Sequence, residues 1–73
     1  MQNPKDVIWR SPSGEVISCT EKNKVMQENL AEIRQICQDA FDDAVLMGCD
    51  EQQVRAVFVE IIASLENSYQ SNQ

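Results

Sequence analysis

Residues 20–53 read TEKNKVMQENLAEIRQICQDAFDDAVLMGCDEQQ, and this stretch decides the fold. From Glu21 to Met47 it holds neither glycine nor proline, the two residues that cost most inside a helix. Met26, Leu30, Ile33, Cys37, Ala40, Ala44 and Met47 recur at alternating steps of four and three. That spacing puts them on one stripe of a helix and makes a heptad seam, which Ile36, Phe41 and Val45 widen. The run predicts a helix over about 21–47 with Thr20 as its N-cap. Gly48 stops it, as a residue free to take positive φ does just past a C-cap. Asp50 starts a second helix, with Gln53 three residues on as a capping-box partner. This helix is expected over about 51–67, with Val54, Val57, Phe58, Ile61, Ile62 and Leu65 on its apolar face. The link Gly48-Cys49-Asp50 is so short that the two helices must be antiparallel neighbours. The expected fold class is therefore mainly α, an antiparallel helical hairpin over residues 20–67.

Upstream, Val7-Ile8-Trp9-Arg10 and Glu15-Val16-Ile17-Ser18-Cys19 flank Ser11-Pro12-Ser13-Gly14. Two β-branched runs around a turn signal predict a short β-hairpin over about 7–19, with Pro12 and Gly14 suited to the second and fourth turn positions. A lone two-stranded hairpin is marginal in water, so Trp9 is expected to anchor it. Residues 1–6 read as a loose start, and 68–73, polar apart from Tyr69, as a tail that frays. The whole of 1–73 is expected to be one small domain.

A chain of 73 residues hides only about 60% of its unfolded surface, and chains this short commonly add disulfides, a metal or oligomerisation. The three cysteines, Cys19, Cys37 and Cys49, are odd in number, form no CxxC pair and are joined by no histidine, which argues against a tetrahedral zinc site. The first twenty residues carry Pro4, Lys5, Asp6 and Arg10 without an apolar run, so no secretory signal is expected, nor is a membrane span of about 20 apolar residues. The expected compartment is the reducing cytoplasm, with free thiols. By elimination, association is the expected source of further stability. Twelve acidic against six basic residues give a net charge of −6. That charge repels nucleic-acid backbones and anionic membranes, and suits a basic protein partner.

The two helices differ in length, about 40 Å against about 25 Å, so Val25, Met26 and Leu30 lie beyond the cover of the second. Ile36, Val45, Val59 and Ile62 still face outward from a single hairpin. The cover is either the β-hairpin of the same chain, through Val7, Trp9, Val16 and Ile17, or a second molecule; pairing two hairpins makes a four-helix centre, commonly about a two-fold axis. A homodimer or higher homo-oligomer is therefore expected. Its core would comprise Met26, Leu30, Ile33, Cys37, Ala40, Ala44, Met47, Val54, Phe58, Ile61 and Leu65.

No enzyme mechanism is legible. Without histidine there is no Cys–His nucleophile and no Glu-x-x-His di-metal motif, and two glycines build no phosphate loop; no cofactor is expected. Asp39, Asp42 and Asp43, with Asp50 and Glu51 beyond the turn, form an acidic knob. It reads chiefly as a solvated face, then as a docking surface for a basic partner; a divalent cation between Asp39 and Asp43 is the remote alternative. Glu28 and Glu32 read as surface. A helix-turn-helix role in DNA binding is opposed by Arg55 being the second helix's only cation. Trp9 with Arg10 is either a recognition anchor or a plug over the free end of the first helix. Cys37 reads as a small core residue and Cys19 as packing at the strand end. Cys49 lies near a helix start, where a thiolate is favoured, beside Asp50 and Glu51, which repel one. The leading expectation is a non-enzymatic helical adaptor, accessory or regulatory subunit. The alternative is a thiol redox switch at Cys49, and a nucleic-acid-binding regulator comes third.

Overall fold

The computed structural model describes residues 7–69; the expected loose start at 1–6 and the final part of the tail, 70–73, lie outside them. Two helices are present, α1 (Thr20–Leu46) and α2 (Glu51–Ala63). The chain divides into two compact units, Met1–Ile36 and Cys37–Gln73, and α1 runs through the boundary.

In the first unit the expected β-hairpin is not formed: no strand occurs among the described residues, and one antiparallel bridge, Arg10 to Val16, takes its place. The turn itself is as its residues require. Gly14 N–H donates to Ser11 C=O at 2.9 Å, and Gly14 sits at φ +94°, a conformation that costs glycine nothing. The Ser11 N–H bond to Glu15 C=O and the Ile17 N–H bond to Trp9 C=O flank the bridge at 2.8 and 2.9 Å. A longer ladder would next draw on the Ile17 carbonyl. That carbonyl accepts from Asn23 Nδ2 of α1 at 3.0 Å, so the second arm is turned into the helix before a second pair can form.

The N-cap of α1 is Cys19 rather than Thr20, since the Cys19 carbonyl accepts the first helical bond from Asn23 N–H at 3.0 Å. At the other end Gly48 takes φ +92°. Gly48 N–H donates to Val45 C=O and Cys49 N–H to Ala44 C=O, at 3.0 and 2.9 Å, the paired bonds of a Schellman motif. Asp50 caps α2: its Oδ2 accepts from Gln53 N–H at 2.9 Å.

In the second unit α2 packs back on the end of α1 as a helical hairpin. Val54 is the one buried residue among those described, at 7% exposure. Phe58 on α2, and Cys37, Phe41 and Ala44 on α1, are partly buried. The helix α2 stops at Ala63, four residues before the expected Asn67. Ser64 Oγ donates to Ile61 C=O at 2.8 Å, and Asn67 Oδ1 accepts from Tyr69 N–H at 2.9 Å. Such local bonds compete with the helix ladder, and here they end it, leaving Leu65 beyond the last turn.

Candidate interaction surfaces

Two surfaces carry the candidate residues, one in each unit. In the first unit, the turn and the opening of α1 enclose a groove of about 440 Å³ with almost wholly apolar walls. Trp9, Ile17, Val25 and Met26 form its body, and Arg10, Glu21 and Lys22 stand at its rim. Trp9 is partly buried there and lines the groove beside Val25 and Met26. Arg10 is tied down by a bond from its Nη1 to Gly14 C=O at 3.0 Å. Trp9 and Arg10, the pair singled out from the sequence, both line this groove, and the opening of α1 supplies its other wall.

In the second unit several of the acidic residues have local partners. Asp42 accepts from Gln38 Nε2 at 2.9 Å. Asp50 is occupied as the α2 cap. Glu51 pairs with Arg55 at 3.6 Å, both side chains well exposed, a geometry of small energetic value. Arg55 also lies over the Phe41 ring, 4.6 Å from its centroid, within cation–π range. Asp39 and Asp43 lie on exposed α1 surface. Among the described residues no group of three or more acidic or thiol side chains is placed to hold a metal ion, and no helix is long and apolar enough to cross a membrane.

The expected core residues separate into two sets. Met26, Leu30, Cys37, Ala44 and Phe58 are partly buried, and Val54 is buried. Ile33, Ala40, Met47, Ile61 and Leu65 are exposed in the single chain, Met47 at 77%. Phe41, not Ala40, takes the inward position against α2. Its large ring fills more of the space between helices, and the Arg55 guanidinium holds it there.

One residue that the sequence passes over as packing stands out chemically. Cys19 is exposed and unbridged, and its thiol is held below the ordinary cysteine range. The cause is hydrogen bonding from the backbone N–H of Lys22, then of Glu21, with a further contribution from the Lys22 charge. The signal was its position one residue before a glycine-free helix. Cys49 is also exposed and free, in the interhelical link.

Charge is divided unevenly along the chain. The first 36 residues hold five basic and five acidic side chains, and the remainder hold one basic and seven acidic, so the whole net charge of −6 falls on the second unit.

Compared with models of known protein families, with curated proteins and with solved structures, the chain matches none.

Proposed function

We propose that this chain is a non-enzymatic helical interaction module that completes its apolar core by binding a second copy of itself, as a homodimer with a four-helix core, and serves as an adaptor, accessory or regulatory subunit. The observation that carries this reading is the near absence of a core. One residue among those described is buried, while Ile33, Ile36, Met47, Ile61, Ile62 and Leu65 are each about half exposed or more. Covering a Val, Leu or Ile completely contributes about 1.5–3 kcal/mol, so the uncovered face forgoes several kcal/mol, comparable to the ~3–5 kcal/mol available to a chain of this size. Three free thiols suit a reducing compartment such as the cytoplasm. Light scattering on the purified chain at micromolar concentration should report a multiple of 8.3 kDa; a stably folded particle of that mass itself removes the proposal.

A thiol-based redox role is the second reading, and the sulfur that favours it is Cys19 rather than Cys49, because backbone N–H groups favour its thiolate. Thiolate, not thiol, is the nucleophile. Alkylation of the native protein at neutral pH, followed by mass spectrometry, should find Cys19 modified ahead of Cys37 and Cys49. Equal rates at Cys19 and Cys49 would leave this reading without support.

A further inference from the structure

α1 carries a second apolar stripe beside the one it turns toward α2. Met26, Ile33, Ile36, Ala40 and Met47 are spaced by seven, three, four and seven residues, which is the a/d spacing of a coiled-coil seam. The last four are exposed, Ile36 at 68%. The same spacing places Lys22 at the beginning of this stripe and Asp43 near its end. The stripe is self-complementary when reversed: a cation stands at one end, an anion at the other, with isoleucines in the middle.

We propose that this stripe is the seat of a second copy of the chain, lying antiparallel, with Met47 of each copy inserted in the Trp9 groove of the other. This rests on the self-association proposed above but not on its four-helix core: α2, 13 residues long, spans only the end of α1, so the antiparallel pairing sets the two copies of α2 at opposite ends. An antiparallel pair centred between residues 34 and 35 sets Ile33 against the partner's Ile36, and Ala40 against the partner's Asn29. Met47 then meets the partner's Lys22, at the rim of the groove whose body is Trp9, Ile17, Val25 and Met26. Asp43 lies one turn away, about 6 Å along the axis, within reach of the lysine side chain.

Charge selects this direction. A parallel pair brings the two second units side by side, each carrying the full −6, whereas the antiparallel pair sets each against a first unit of zero net charge and five cations. Like charges brought together disfavour the wrong orientation. The groove is apolar, with Arg10 and Lys22 outnumbering Glu21 at its edge, which matches an exposed methionine that follows Asp42 and Asp43.

The test is a charge exchange, read as the dimer dissociation constant in sedimentation equilibrium. Lys22→Glu alone and Asp43→Lys alone each turn two attractive cross-dimer pairs into repulsive ones, and each should weaken association about tenfold. The double variant restores both pairs and should return to within about threefold of the original. Helix damage cannot mimic the single-variant result. An acid near the start of α1 and a base near its end both favour the helix dipole, so each single variant is expected to be at least as helical by circular dichroism. If the parent chain dimerises but the single variants dissociate no more than it does, or if the double variant is weaker than either, the antiparallel seat is wrong while self-association stands. If the parent chain stays folded at 8.3 kDa across the dilution series, both fall together.

Discussion

Val54→Asp should abolish the helical hairpin of the second unit, seen as loss of most of the far-ultraviolet helical signal at 25 °C. Val54 is the one described side chain that is buried, and it sits four residues past the Asp50 cap, where α2 first meets α1. Removing its apolar contact costs about 2 kcal/mol, and leaving an unpaired carboxyl in that space costs about 2 kcal/mol or more beyond this. A total of about 4 kcal/mol matches or exceeds the whole stability expected of a chain this short. Val54→Ala supplies the graded control: it removes two methyl groups and introduces no charge, so it should cost about 1–2 kcal/mol and lower the melting temperature without removing the fold. Val54→Asp melting at the parent temperature would show that the helix contact contributes little, and the hairpin would then need another source of stability.

The second large effect is expected where a single chain predicts none. Ile36 is 68% exposed, and a charge at such a surface position ordinarily changes stability by less than about 0.5 kcal/mol. At the centre of the proposed antiparallel seat, however, Ile36→Glu acts twice per dimer. Each copy loses aliphatic burial of about 1.5 kcal/mol and brings a carboxylate against the partner's Ile33. A combined loss of about 3 kcal/mol or more corresponds to a dissociation constant raised by more than about 100-fold. Ala31 is the control. It is also exposed, but its spacing turns it about 180° around α1 from this stripe, so Ala31→Glu should leave the dissociation constant within about threefold. Equal effects at the two positions would indicate nonspecific apolar adhesion in place of a defined seat.

Much of the fold is written in short-range chemistry and could be read from it. Gly48 has to end α1 because the chain needs a positive φ there, and it is found at +92°; Asp50 has to begin α2, and its carboxylate is found on Gln53 N–H. What could not be read depends on competition between near-equal alternatives. The arms of the expected β-hairpin have strand composition, yet the outcome turns on whether the Ile17 carbonyl bonds across to the other arm or to Asn23, and Asn23 takes it. The end of α2 turns on the Ser64 hydroxyl, which bonds back to Ile61, in a stretch whose apolar periodicity runs on to Leu65. The same holds for the surfaces. Trp9 and Arg10 were evident as candidates, but the groove wall from Val25 and Met26 depends on how α1 is entered. The acidic residues near the turn read as one cluster from the sequence; a cap, an ion pair and a hydrogen bond to Gln38, none of them visible in composition, give Asp50, Glu51 and Asp42 separate local partners. Cys19 was concealed because its chemistry comes from backbone N–H groups that point at it only once α1 has formed.

A polypeptide with one sheltered side chain among those described has little free energy of its own to hold its shape. On the self-association reading, dilution then acts as a denaturant, because whatever binds the folded form shifts the balance by mass action. Below some copy number in the cell, newly made chains would stay open to proteases, and above it they would lock together and persist. Abundance would then decide whether the protein exists in working form, with no separate switch required.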